Sequence, residues 1–189
     1  MEGQLATNQI GEKMILTLFH GTTANNAKSI VENGFETGTK SNWKVKSKPN
    51  FVYLSSAYAP FYAMAAGGDK LALIKCKVSS KNIYPEDDFL MIALGKNVYS
   101  QEELDEVDFE KYKYLANQSL RFMGNVAAKP EDVRVIGMRE FSGRMLVMVC
   151  DPVISPMNFK IMGGYYKRLS EHIFKTGEFK TFDRRNGIC

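Results

Sequence analysis

The chain has 189 residues, of which 44% are hydrophobic and 24% charged, and its net charge is +4. This composition is typical of one globular domain and excludes a largely disordered chain. No run approaches the roughly 20 apolar residues of a membrane-spanning helix. The first residues lack the apolar stretch of a secretory signal. We therefore expect a cytoplasmic protein with no membrane partner.

Three cysteines and two histidines limit the metal and disulfide chemistry. Cys76, Cys150 and Cys189 are odd in number and have no CxxC spacing, which argues against a disulfide framework and against zinc. We interpret Cys76 and Cys150 as small core residues. His172 is typical of a surface helix, so we expect no metal.

Apolar runs and helix breakers predict alternating elements in the first part of the chain. The predicted strand nearest the start ends at His20, and Gly34 is a plausible helix stop. The elements are a strand at Met14–Phe19, a helix at Asn25–Val31, a strand at Phe51–Leu54, a helix at Tyr58–Ala66 and a strand at Leu71–Val78.

The later part of the chain predicts two helices and a hairpin. These are a helix at Asp87–Leu94 with Asp87 or Asp88 near its N-cap, a helix at Lys111–Met123, and paired strands at Val133–Met138 and Arg144–Val149. The order predicts a single α+β domain over residues 1–156, with mixed central β-sheets flanked by helices. Residues 157–189 would form a basic, aromatic extension packed on the same domain.

Two short segments carry side chains suited to ligand binding. His20, Gly21 and Thr22 follow a predicted strand, where a ring nitrogen would meet a ribose hydroxyl and a glycine would let backbone groups pair with an amide. Tyr53 and Ser55 close another strand, where a ring and a hydroxyl would hold a planar carboxamide. Each segment alone is also typical of ordinary structural turns and core strands.

Together, LFHGTTANNAKSIVENGF and FVYLSSAYAPFYA resemble the ADP-ribosyltransferase superfamily, in the branch that includes poly-ADP-ribose polymerases, DNA-modifying toxins and tRNA 2′-phosphotransferases. The resemblance covers Ile15–Ala66. It implies that NAD is the co-substrate and that lysines of the 36–50 loop contact pyrophosphate or target. The implied cofactor contacts are His20 on the ribose, Gly21 on the nicotinamide amide, Thr22 beside them, Tyr53 lining the pocket, Ser55 on the carboxamide and Tyr62 as a lid.

The family's glutamate, at the start of a late strand, has no counterpart in this sequence. The best match is the run from Phe122 to Ala127, which contains no acid. Substitutes are the acidic turn Glu86-Asp87-Asp88 and Glu140, and we take Asp88 with His20 and Tyr53 as the candidate catalytic residues. Helix capping would equally explain the acidic turn, and a solvated hairpin would explain Glu140.

The resemblance implies a mono-ADP-ribosyltransferase of the toxin or phage-conflict type. Basic residues around Trp43 and the run Gly163–Arg168 favour a nucleic-acid acceptor, DNA or RNA. A protein acceptor, an RNA 2′-phosphotransferase-like reaction and a non-catalytic NAD or nucleic-acid binding module remain open. The phosphotransferases need several pocket arginines, whereas Arg121, Arg139 and Arg144 come late. The acidic stretch Glu102–Glu110 is either a solvated loop or a docking site for a neutralising protein.

Overall fold

The computed structural model describes residues 14–36, 48–95, 101–142, 156–179, 182–183 and 187–188. Six strands form one antiparallel sheet: β1 Ile15–Thr23, β2 Val52–Ser55, β3 Leu71–Ser79, β4 Ile83–Tyr84, β5 Asn125–Ala128 and β6 Arg134–Phe141. The strand order is β4-β5-β2-β1-β3-β6. The helices are α1 Ala24–Asn33, α2 Ala59–Ala66, α3 Asp87–Ala93, α4 Gln101–Glu106, α5 Ala116–Met123 and α6 Pro156–Thr176.

The α+β class is confirmed, but the expectation of mixed sheets is wrong. Every pairing between the six strands is antiparallel. Two short strands, β7 Phe182–Asp183 and β8 Gly187–Ile188, pair separately and are also antiparallel. The predicted strand Arg144–Val149 lies outside the described residues. Among the residues that the structure describes, no helix has the length and apolar character needed to cross a bilayer.

Strand β1 is longer than the sequence pattern predicts, which moves the motif histidine into the sheet. Its partner β3 pairs with it along its whole length, from Ile15 opposite Ser79 to Thr23 opposite Leu71. His20 therefore lies within the strand and not after it. The continuous ladder keeps the polar residues that follow Phe19 extended, although they interrupt the apolar run.

Helices α1 and α2 end at the glycines that the sequence predicts as their stops. The Thr23 hydroxyl accepts a hydrogen bond from the Asn26 backbone N–H at 3.3 Å, which satisfies a donor of the first turn. Gly34 ends α1 in a left-handed conformation, φ 83°, which glycine adopts at little cost. Helix α2 ends in the same way at Gly67.

Helix α3 is capped by Glu86, which places Asp87 and Asp88 near the N-cap as predicted. The Glu86 carboxylate accepts from the Phe89 backbone N–H at 3.4 Å. Asp87 and Asp88 occupy the first turn, where the helix dipole favours negative charge. Glu86 is buried, and desolvation raises its pKa well above the usual range.

Several elements are not predicted by the sequence pattern. Strand β5 has only four residues, NVAA, of which two are alanines with little preference for strands. It is nevertheless buried throughout, between β2 and β4. Helix α4 covers part of the acidic stretch, and α6 gives the extension its main element. Helix α6 packs against α2, α5, β3 and β6.

Two apolar clusters account for the core. Phe19, Leu73, Met123 and Ile173 belong to the cluster that includes residues of α2 and α6. The second cluster, on alternate strand positions, includes Leu18, Ala72, Ile74, Cys76 and Val126, with Ala27 of α1. Cys76 is a buried free thiol, as predicted, and burial raises its pKa to about 12. Cys150 and Cys189 lie outside the described residues.

Gly21→Ala tests how closely α2 packs on β1. A Cβ at Gly21 would lie 1.8 Å from the Ala59 carbonyl oxygen, a backbone atom that yields only if the helix moves. We expect a loss of about 3 kcal/mol or more in unfolding free energy, measured by urea denaturation. Gly164→Ala is the matched control, because its nearest contact is 3.7 Å away, at the end of the Arg168 side chain. Alanine at that exposed helical position should stabilise by about 0.5–1 kcal/mol. Equal effects of the two substitutions would contradict the close packing.

Candidate functional site

The site is built where β1 separates from β2. Only Phe19 and Ser55 are paired between these two central strands, whereas β1 and β3 pair over nine residues. Continuing the register would set Gly21 opposite Tyr53, but no pairing occurs there. The sheet therefore opens between its two central strands beside the motif residues.

The His20 side chain spans this opening. Its Nδ1 lies 2.9 Å from the Tyr53 carbonyl oxygen. A carbonyl oxygen only accepts, so Nδ1 carries a hydrogen, and Nε2 of the neutral ring is left as an acceptor. Burial lowers the pKa of His20, although the carbonyl contact opposes that shift. The Phe35 ring meets the imidazole edge-on, at 5.2 Å between centroids.

Gly21 directs its backbone polar groups into the same opening. In an antiparallel ladder, successive residues point their N–H and C=O groups to opposite sides. The Ala24 N–H donates to the Lys70 carbonyl at 3.0 Å, so Thr22 also faces β3. Gly21 then faces the β2 side. One donor and one acceptor, side by side, line the opening next to His20.

Helix α2 covers Gly21 from the opposite face of the strand. The position of a Gly21 Cβ would be 2.8 Å from the Ala63 nitrogen as well as 1.8 Å from the Ala59 oxygen. A helix this close requires glycine, which supplies a structural reason for the residue independent of any ligand. Tyr62 precedes Ala63 and so belongs to the turn that covers the opening.

Tyr53 joins His20 through its backbone, while its ring turns elsewhere. The ring packs against the cluster that contains Phe19. Its hydroxyl donates to Asp87 Oδ2 and accepts from the Lys48 N–H at 3.1 Å. Burial and the negative charge of Asp87 raise the Tyr53 pKa well above its usual range, so the phenol stays protonated.

Asp87 is the acid that the structure joins to a motif residue. Burial raises its pKa, and the hydrogen bond from Tyr53 opposes that shift. Its other oxygen, Oδ1, is buried and has no hydrogen-bond partner among the described residues. Asp88 is only partly buried, and its backbone N–H donates to the Glu86 carboxylate. Sequence reasoning identified the acidic turn but not this contact, which depends on how α3 meets β2.

Ser55 and Thr22 have clear structural roles. The Ser55 hydroxyl accepts from the backbone N–H groups of Ala57, at 3.1 Å, and Tyr58, at 2.7 Å, and it donates to the Gly124 carbonyl. Ser55 is 1% exposed. Thr22 is also buried and accepts from the Asn26 amide at 3.4 Å. Their contacts with a cofactor stay predictions.

Asn125 stands at the start of the late strand, where the sequence showed no acid. Strand β5 places it opposite Ser55. Its amide Nδ2 donates to the Tyr62 hydroxyl at 2.7 Å, which ties β5 to α2. The residue is buried, and its Oδ1 has no hydrogen-bond partner in the described part of the chain. A neutral amide thus holds Tyr62 in place.

Glu140, the other candidate acid, is remote from the opening and does not lie in a hairpin turn. It belongs to β6, two strands from β1, opposite Ala72. Strands are spaced about 4.8 Å apart, which separates its backbone from that of Thr22 by about 10 Å. Its carboxylate pairs with Lys28 at 3.1 Å.

A cavity of about 690 Å³ opens next to the site. Phe35, Lys48 and Phe51 form one wall and connect it to His20 and Tyr53, neither of which lines it. Its described lining contains two lysines and five acids, mostly from residues 105–110. Lys129 is paired with Glu110 at 2.8 Å. The described lining therefore carries a net negative charge.

The C-terminal aromatic and basic run is partly packed into the core, and its contact with nucleic acid stays a prediction. Gly163–Arg168 lies within α6, and Tyr166 is 2% exposed against Tyr58, with ring centroids 5.0 Å apart. Lys167 and Arg168 remain exposed. The alternative interpretation, an element packed by its tyrosines, is correct for Tyr166. The basic segment around Trp43 lies outside the described residues.

His172 also belongs to α6 and is partly buried. Within the described ranges, no group of three or more histidine, cysteine, aspartate or glutamate side chains is arranged to hold a metal ion. Comparison of the chain with protein-family models, with curated proteins and with solved structures finds no match.

Burial makes His20 a source of pH dependence. The pKa of the His20 ring is lowered below 6.5 in the folded protein. As the pH falls below 6.5, the unfolded chain therefore binds a proton at this ring more readily than the folded protein does. We expect stability from this group to be full above pH 6.5 and to be lost as pH falls through the lowered pKa. NMR titration of the ring should give a midpoint below 6.5. Glu86 and Asp87 have raised pKa values and act in the opposite sense. His20→Gln should therefore remove only the histidine part of the slope. A midpoint at or above 6.5 would show that the ring is not buried as described.

The contact between Tyr53 and Asp87 should appear as a coupling energy. Tyr53→Phe leaves a buried carboxyl without its donor, and we expect a loss of about 1–3 kcal/mol. With Asp87→Asn, a double-mutant cycle measured by urea denaturation should give a coupling of about 1 kcal/mol or more. Tyr114→Phe is the matched control, because Tyr114 is 72% exposed and should change stability by less than about 0.5 kcal/mol. Additive effects would mean that the two side chains do not interact.

Proposed function

We propose that the protein is an NAD-dependent ADP-ribosyltransferase whose cofactor enters the opening between β1 and β2. One observation carries the proposal: the His20 acceptor nitrogen and the Gly21 backbone groups share this opening, where the ladder is interrupted. An interrupted ladder leaves strong hydrogen-bonding groups in need of partners. A ligand with complementary groups would supply them.

Nicotinamide riboside has the groups that the opening lacks. Its carboxamide offers one acceptor and two donors, which match the adjacent N–H and C=O of Gly21. A ribose hydroxyl would donate to His20 Nε2, the acceptor of the neutral ring. Tyr62, anchored by Asn125, would cover the bound ring from α2. These residues would hold the cofactor.

When bound, NAD supplies a cationic leaving group, nicotinamide, that departs without prior protonation. The chain's own contribution is then positioning and charge stabilisation. The contact between His20 and Tyr53 fixes the imidazole tautomer. Asp87 is the best-supported acid, because it accepts a hydrogen bond from Tyr53 and its Oδ1 has no hydrogen-bond partner among the described residues. Asp88, the acid favoured by sequence, donates its backbone N–H to the Glu86 carboxylate.

The acceptor that we propose is nucleic acid, as in a toxin or phage-conflict enzyme, with a protein acceptor as the alternative. The RNA 2′-phosphotransferase reaction is less well supported, because Arg139 lies on β6 with its Nε donating to the Phe174 carbonyl at 3.1 Å. A non-catalytic binding module is favoured by one observation, the amide of Asn125 in place of an acid.

Nicotinamide release from labelled NAD, with label followed onto DNA, RNA and protein, tests the proposed activity. We expect release and transfer in the native protein, and a loss of about tenfold to a hundredfold in His20→Ala, which removes one buried hydrogen-bonding group. His172→Ala is the matched control, since the second histidine lies on α6, and it should retain activity. Asp87→Asn should be impaired more than Asp88→Asn.

Each other outcome has a defined meaning. NAD binding without nicotinamide release would contradict the proposed transferase activity and support the non-catalytic binding module. Release of ADP-ribose cyclic phosphate from a 2′-phosphorylated RNA would establish the phosphotransferase instead. Equal activity of the His20→Ala and His172→Ala variants would show that the opening between β1 and β2 is not the cofactor site.

A further inference from the structure

One face of the segment that leads into β5 is exposed in a regular pattern. The short 3-10 turn Lys113–Leu115 runs directly into α5. Positions 114, 117, 118, 121 and 122 are exposed, whereas 115, 116, 119 and 123 are buried. This spacing marks a single helical face. The described residues leave that face without a covering element.

Large aromatic rings mark both ends of this exposed face. Tyr114 is 72% exposed and Phe122 is 45% exposed, and these exposed fractions are high for side chains of this size. They lie eight residues apart, about two helical turns or 12 Å along the axis. Asn117 and Gln118 lie between them and offer amide donors and acceptors.

The charge on this segment is of one sign. Residues 111–124 contain Lys111, Lys113 and Arg121 and no acid. Neither Lys111 nor Arg121 forms an ion pair with the part of the chain that the structure describes. Lys113 has partners outside the exposed face, because its Nζ donates to the Tyr84 hydroxyl at 3.4 Å and lies over the Tyr84 ring. The Arg121 guanidinium lies 5.7 Å from the centre of the Phe122 ring. Rings with adjacent cations are the combination that single-stranded nucleic acids bind, because bases stack and phosphates are neutralised.

The face ends beside the proposed cofactor opening. Phe122 is followed by Met123 and by Gly124, which turns the chain with φ 73° into Asn125. Asn125 in turn contacts Tyr62 on the helix that covers Gly21. A strand bound along α5 would thus run toward Asn125 and the helix that covers Gly21.

We infer that the exposed face of α5, from Tyr114 to Phe122, binds single-stranded nucleic acid and presents it to the cofactor opening as the acceptor. The inference rests on the proposed transferase function and gives its substrate class. Bases stack on Tyr114 and Phe122, and Lys111 and Arg121 neutralise phosphates.

Fluorescence anisotropy with labelled DNA and RNA single strands of about 20 nucleotides, and with the matching duplexes, tests the surface. We expect the native protein to prefer single strands. The double variant Tyr114→Ala/Phe122→Ala should bind them at least about tenfold more weakly, and Arg121→Gln should lower the salt slope by about 0.7. Ile92→Ala/Ile136→Ala is the matched control, because those side chains are 45% and 39% exposed elsewhere. The Tyr114→Leu/Phe122→Leu variant keeps apolar side-chain area but cannot stack on bases. It therefore tests the surface even if the alanine variant does not fold.

Nicotinamide release without an acceptor separates this inference from the function on which it rests. The α5 variants should release nicotinamide as the native protein does, while label transfer to the strand falls with binding. Strand binding through α5 without any nicotinamide release would overturn the proposed function and leave the surface standing. Affinity within twofold of native in both double variants, a preference for duplex, or transfer of label only to protein would overturn the surface.

Discussion

The early separation of β1 from β2 is the constraint on which the site depends. A strand pair that continued past Phe19 and Ser55 would join Gly21 to Tyr53 and satisfy both backbones. Instead, the His20 Nδ1 satisfies the Tyr53 carbonyl, and the Gly21 groups face the gap. Leaving buried backbone groups unpaired costs about 1–3 kcal/mol each. A folded chain maintains such a gap where solvent or a ligand fills it.

Much of the local sequence around the gap has a structural explanation that needs no ligand. Gly21 is required by the approach of α2, and Ser55 fixes the start of that helix through two backbone N–H groups. His20 is different in kind. A small apolar residue with a closed ladder would satisfy the same backbone at lower cost, without burying an imidazole whose pKa burial must lower. The histidine is therefore the residue on which the proposed function most depends.

The sequence predicts those elements whose signals are local. Gly34 ends α1 as predicted, whereas the Thr23 cap was not predicted. Strand β5 was missed because NVAA has no alternation and only one β-branched residue, Val126, and burial between two strands makes it a strand. For the same reason, the sequence did not predict the contact of Asp87 with Tyr53, and it left the packing of Tyr166 as one of two alternatives. Each depends on packing between distant segments, which composition and spacing do not report.

The late-strand position explains why an acid is hard to find by sequence. Asn125 uses its amide to hold Tyr62 and is buried, so a carboxylate there would need a cationic partner or a proton. The described residues put a phenol beside it instead. A carboxyl group lies at the hydroxyl end of Tyr53, where Asp87 accepts a hydrogen bond from the phenol and its second oxygen has no partner among the described residues. If this fold stabilises positive charge near His20, a carboxyl reached through Tyr53 is the group best placed to do so. The histidine and that carboxyl then act on two sides of one strand, joined by a single tyrosine.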